Sequence, residues 1–213
     1  MLLMSSGMIL LMMLTKKFFD RDACLVAEDL LGKILCHNYQ GTWLKAQIIE
    51  TEAYYIDDKA SHSSLGFTEK RKALFMPAGT IYMYYARGMD SFNVSCKGEG
   101  NAVLIKSAYP YLEDTNIELM QELNPQRSSF IPRPVNRLCR GQTLLCRALG
   151  IKLTDWDQQQ FDKDKILIDD IGYKPQGVIQ TTRLGISKGR DAHLPYRFVL
   201  EEMMRHCTKN PAK

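Results

Sequence analysis

Runs rich in β-forming residues, several of them separated only by short turns, constrain this chain more than any other feature. Residues 33–37 and 43–49 flank Asn38-Tyr39-Gln40-Gly41-Thr42 and read as two strands joined by a turn. Residues 80–85 and 102–106 alternate or run apolar with many β-formers, and the Gly-rich stretch 96–101 supplies a turn between strands. Residues 166–168, 177–179 and 196–200 are further short strand candidates. Against these, Ala23, Val26, Ala27, Leu30 and Leu31 recur at helical spacing within 20–35, a pattern that Gly32 ends. Residues 114–123 and 143–149 read as two more helices, the second ended by Gly150, and Pro132 and Pro134 break the region between them. A mainly antiparallel, curved sheet follows, with helices beside it.

A chain of 213 residues suits a single domain with a sizeable core. Its 45% hydrophobic and 24% charged content argues against a long disordered tail. Residues 1–14 are apolar and rich in methionine, but too short to span a bilayer and without the basic start of a signal peptide. Met4, Met8, Met12 and Met13 are each possible start sites. The expected organisation is a dispensable or mis-assigned extension over 1–13, the domain over 14–205, and a C-terminal tail over 206–213.

The net charge of +4 is small but unevenly spread. Residues 124–153 hold no acid and carry Arg127, Arg133, Arg137, Arg140, Arg147 and Lys152, a run suited to phosphate contacts, with Arg137 and Arg140 the candidates for DNA binding. A solvated surface reads similarly, because Asp155, Asp157, Asp162, Asp164, Asp169 and Asp170 follow at once. The six cysteines form no Cys-x-x-Cys pair, and no histidine stands at zinc-finger spacing, so no metal site is expected. Scattered thiols of this kind read as small buried hydrophobes in a reducing compartment.

Function concentrates in residues 48–93. On a strand, alternation puts Ile48, Glu50, Glu52 and Tyr54 on one side and Ile49, Thr51 and Ala53 on the other. Two carboxylates and a ring then share a surface, near Tyr54, His62, Tyr82 and Tyr84. Flat rings near an acid suit a base turned out of a duplex. A solvated edge strand explains a Glu-x-Glu taken alone equally well.

Taken together, Glu50-Thr51-Glu52-Ala53-Tyr54, His62, Phe75-Met76, Gly79-Thr80-Ile81-Tyr82-Met83-Tyr84 and Asn93 resemble the alkyladenine (3-methyladenine) DNA glycosylase family, with similarity from Leu14 through Val199. The resemblance implies a single mixed α/β (α+β) domain built on a curved, mainly antiparallel β-sheet with flanking helices, and a monofunctional glycosylase that flips damaged purines of the 3-methyladenine, 7-methylguanine, hypoxanthine and ethenoadenine class. It would hydrolyse the N-glycosidic bond with a Glu-activated water and so initiate base excision repair. It also implies no cofactor, a partner that is double-stranded DNA containing damaged purines, no membrane, and a cytoplasmic monomer.

By the same resemblance, Tyr54 covers one face of the base and His62 with Tyr84 the other, Glu52 is the general base, and the carbonyl of Leu184 helps hold the water. Asn93 matches a residue that refuses the exocyclic amino group of guanine. The sequence departs from the family pattern in three places. Arg87 stands where a tyrosine wedge is usual, and Lys106 replaces an arginine near the catalytic water. Gly141-Gln142-Thr143-Leu144-Leu145 lacks the proline and lysine of Gly-Pro-x-Lys-Leu. Residue type alone leaves structural readings open: Tyr54, Tyr84 and His62 as packed rings, Asn93 as a turn cap, Glu50 as a structural partner. Two functional alternatives also stand, a catalytically impaired relative that binds lesions and a nucleoside or glycoside hydrolase using Glu50 and Glu52 as a pair.

Overall fold

The computed structural model describes residues 12–126 and 131–209. The chain enters through a two-residue strand, β1 (Met12–Met13), and a short helix, α1 (Lys16–Phe19). Helix α2 (Ala23–Asp29) follows, and Asp22 caps it by accepting from the amides of Cys24 and Leu25. Its buried residues Ala23, Val26 and Ala27, with Leu30 just beyond, form the stripe expected from the sequence. The hairpin of β2 (Ile34–Tyr39) and β3 (Thr42–Tyr54) turns through Gln40 and Gly41, both at positive φ.

Two 3-10 turns, Ser63–Leu65 and Glu69–Phe75, lead to β4 (Ile81–Ala86), β5 (Met89–Ser95) and β6 (Ala102–Pro110). Helices α3 (Ile117–Leu123), α4 (Gln142–Ala148) and α5 (Leu153–Trp156) precede β7 (Ile166–Asp170), β8 (Val178–Thr181) and β9 (Arg197–Leu200).

Among the described residues, all strands pair antiparallel in one nine-stranded sheet of order β1-β7-β2-β3-β6-β5-β4, with β9 joining β3 to β8. Strand β3 is the centre of this arrangement. One of its edges pairs with β2 over its first half and with β9 at residues 50–52, and the other edge pairs with β6. The main core lies where α2 and α4 cover the sheet, joining Val26, Leu30, Leu145 and Leu149 to Ile49, Val94, Val103 and Ile105. Burying each such aliphatic side chain stabilises by roughly 1.5–3 kcal/mol.

Several expectations change. The Glu-x-Glu segment lies in a central strand rather than on a solvated edge. The helix expected from residue 114 begins at Ile117, because Asp114 is engaged by Lys45 and Asn116 caps the helix through the amide of Leu119. Strand β5, Met-Asp-Ser-Phe-Asn-Val-Ser, has too few β-formers to announce itself and is held by two neighbours instead.

At the chain ends, Met12 and Met13 pair with Asp170 and Asp169, and Cys207 is buried. All six cysteines are free thiols, buried except for the half-exposed Cys24, and burial pushes the Cys36 and Cys207 thiols up to about 12. Arg127, part of the basic run, falls outside the described residues. Among those residues no helix is long and apolar enough to cross a membrane.

Candidate active site

Register across the sheet assembles the site. Glu52 on β3 lies opposite Leu104 on β6, Leu104 opposite Asn93 on β5, and Asn93 opposite Tyr82 on β4. Residues paired in this way present their side chains to the same face. Tyr54, two residues beyond Glu52, and Tyr84, two beyond Tyr82, extend the row. The alternation read from the sequence therefore holds at Glu52 and Tyr54, while Thr51 points the other way and donates to the carbonyl of Ala27 on α2 at 2.7 Å. It is interrupted at Glu50, which sits between two register shifts of the β3–β6 ladder.

That face opens into a cavity of about 630 Å³, within the range of small-molecule sites and large enough for a purine. Tyr54, His62, Tyr82, Tyr84, Asn93, Lys106 and Leu184 are among its lining residues, and Arg87 stands at its mouth. The rings of His62 and Tyr84 meet edge to face with centroids 4.4 Å apart, and Tyr82 stacks on Tyr84 at 5.7 Å. His62 Nδ1 bonds the Tyr82 hydroxyl at 2.8 Å. Burial, aided by the charges of Arg71 and Arg190, holds the His62 ring below its ordinary pKa and so favours the neutral form. Asn93 is 5% exposed and donates through Nδ2 to the carbonyl of Tyr82 at 3.1 Å, which fixes the amide against the cavity.

Glu52 has no exposed surface and lies one layer behind the wall. Its three partners, Tyr54, Lys106 and Leu184, all line the cavity. The Tyr54 hydroxyl donates to Oε2 at 2.8 Å, Lys106 Nζ lies 3.3 Å from Oε1 and 3.4 Å from Oε2, and the amide of Leu184 donates to Oε1 at 3.3 Å. Burial, and then the charge of Glu52, raises the Tyr54 pKa well above that of an ordinary phenol, so its hydroxyl stays a donor.

A family model described as methylpurine-DNA glycosylase matches residues 17–204. The chain belongs to the methylpurine-DNA glycosylase family. It is a hydrolase of N-glycosyl bonds, a DNA glycosylase of repair. It is 58% identical over 200 residues to a protein of Pseudomonas aeruginosa (strain LESB58) named "Putative 3-methyladenine DNA glycosylase", covering 92% of this chain and 83% of that one. A protein of the same name from Carboxydothermus hydrogenoformans is 34% identical over 195 residues, covering 89% of this chain and 96% of its own.

The remaining candidates of this glycosylase fall in different places. Arg87 occupies the tip of the β4–β5 hairpin, a two-residue turn in which Arg87 and Gly88 both have positive φ, and its side chain is exposed. Leu184 meets Glu52 through its amide, and its segment, with Gly185, Ile186 and Ser187, forms one wall. Arg137 is exposed outside the cavity, whereas half-buried Arg140 donates through Nε to the carbonyl of Cys207 at 2.8 Å. Gln142, at the departure in the Gly-Pro-x-Lys-Leu pattern, reaches the Tyr84 hydroxyl at 3.4 Å.

Two pairings escaped the sequence reading. Arg183 is 4% exposed, pairs with Asp58, donates to the carbonyl of Ala53 at 3.0 Å and lies 4.5 Å from the centre of the Tyr54 ring. It therefore braces that ring by a cation–π contact. Glu50 and Arg197, 147 positions apart, form a buried pair at 2.7 Å. Nothing local in the sequence marks either pairing.

Proposed function

We propose that this glycosylase excises damaged purines from duplex DNA by turning the nucleotide into the 630 Å³ cavity and hydrolysing its bond to C1′ with water activated by Glu52. The observation that carries this reading is a carboxylate without exposure set behind a wall of rings, with its three partners all facing the cavity. Tyr54, braced by Arg183, takes one face of the base, and His62 with Tyr84 takes the other. Stacking of this kind contributes about 1–3 kcal/mol per base and offsets part of the unstacking cost.

Positive charge develops on the sugar as the glycosidic bond breaks. Glu52 accepts the proton of the attacking water, which reaches it between Lys106 and Leu184, its longest contacts. The carbonyl of Leu184 helps aim that water. Lys106 is held in an ion pair with Glu52, which favours water over lysine as the nucleophile and a monofunctional enzyme. Arg87, at an exposed hairpin tip, enters the duplex and fills the vacated stack with its planar guanidinium, a role that its exposure supports. The substrates are the 3-methyladenine, 7-methylguanine, hypoxanthine and ethenoadenine class.

The test is incubation of the protein with duplexes carrying each lesion, followed by hot alkali to cleave abasic sites. Alkali-dependent cleavage supports the reading, and intact strands with every lesion overturn it. Strand scission without alkali, or a covalent adduct trapped by borohydride, would overturn the monofunctional assignment. Asn93→Ser removes the proposed block against the guanine amino group. It is expected to raise guanine excision relative to hypoxanthine by about 10-fold or more, measured with both duplexes saturating the enzyme.

A further inference from the structure

The residues matched by the family model end at 204, yet the chain continues into the wall of the cavity. Residues near a terminus usually fray unless they are tied down. Here they are bolted to the centre of the sheet. Cys207 is 1% exposed and its Sγ meets the carbonyl of Ile49 at 3.5 Å, while its own carbonyl accepts from Arg140 Nε at 2.8 Å. The amide of Thr208 donates to Glu50 Oε2 at 2.8 Å, its carbonyl accepts from Arg197 Nη2 at 2.9 Å, and its hydroxyl lies 3.2 Å from that of Ser107. Ser107 in turn donates to Glu50 Oε2 at 2.5 Å and accepts from the amide of Gly141 at 3.0 Å. Glu50 thus fastens Thr208 to β3 directly and, through Ser107, Gly141 before α4, and both segments line the cavity.

The next residue, Lys209, is exposed and has neither ion pair nor hydrogen bond among the described residues. It lines the cavity with Arg87, Lys106 and Arg190, and no acid lines it among the described residues. A lysine on an ordinary surface is free to stay in solvent, but this one hangs from a backbone held by a buried ion pair at the place where a nucleotide must enter.

We propose that the segment ending in Thr208 and Lys209 is part of the DNA-binding surface, and that Lys209 contacts a backbone phosphate flanking the extruded nucleotide. The proposal rests on the reading of the cavity as the site of the flipped base. Contacts of this kind fix the position of a protein on the duplex without reading sequence. They also release counterions, so each one adds to the salt dependence of binding.

The test measures affinity of the full chain for a lesion duplex across a salt series, with the parent, Lys209→Ala and Lys209→Arg. Loss of one phosphate contact is expected to flatten the slope of log affinity against log salt by about 0.9 in the alanine variant, with arginine restoring it. Between about 50 and 200 mM salt the parent then loses about three- to fourfold more affinity than the variant. Duplexes with single methylphosphonates beside the lesion locate the contact: neutralising that phosphate weakens the parent and leaves Lys209→Ala unaffected. An unchanged slope in Lys209→Ala, or a methylphosphonate response identical in parent and variant at every position, overturns the proposal. Base release by the parent is scored separately, so an active parent with an unchanged slope rejects the contact and not the glycosylase reading.

Discussion

Glu50 and Glu52 stand two residues apart on β3, both without exposed surface and each beside a cation. Glu50 is held at 2.5–2.8 Å by Ser107, Arg197 and the amide of Thr208. Glu52 has one contact that close, to the Tyr54 hydroxyl, while Lys106 and the amide of Leu184 lie at 3.3–3.4 Å. A carboxylate offers about four acceptor positions. In Glu50 they are taken up by a guanidinium, a hydroxyl and an amide in tight geometry, so the group serves as a fastener. In Glu52 the looser donors lie on the cavity side, where a water can compete for them. Two identical side chains on one strand thus differ in what they can do through the distance and direction of their donors.

The largest expected effect separates the two at once. Glu52→Gln keeps the shape and hydrogen-bonding size of the side chain but removes the proposed base, and single-turnover base release should fall by about 10²- to 10⁴-fold with lesion-duplex binding nearly intact. Comparable release rates in variant and parent would remove Glu52 from the chemistry. Glu50→Gln should act on stability instead. It removes the buried charge paired with Arg197, a change of about 3–5 kcal/mol that denaturant midpoints would register, while single-turnover release per folded molecule at saturating duplex stays near that of the parent. A loss of release with unaltered stability would break the comparison by making Glu50 the chemical group.

A smaller effect comes from Tyr54→Phe, which keeps the stacking ring and deletes the closest donor to Glu52. Hydrogen bonds to charged groups contribute about 1.5–3 kcal/mol, so release should fall by about 10- to 100-fold. Because burial raises the Tyr54 pKa well above its ordinary value, the parent keeps that donor throughout the neutral range, and the ratio of variant to parent should not change between about pH 6 and 8. A ratio that moves with pH would mean that Tyr54 itself titrates.

The sequence by itself determined the strand-and-turn pattern, the amphipathic stripe of α2 and the row of acid and rings in residues 48–93. These are local signals, because alternation, helical spacing and turn chemistry are written within a few neighbouring residues. Tertiary structure decided what local signals cannot carry. That β3 is central, and both its carboxylates buried, depends on β6 and β9 arriving from more than 45 positions away. The pairing of Glu50 with Arg197, the brace of Arg183 on Tyr54 and the docking of Thr208 beside Ser107 each join residues between 101 and 147 positions apart. Residue type made Glu50 and Glu52 equivalent candidates. Only the donors that the fold brings to each oxygen make one a fastener and leave the other the proposed base.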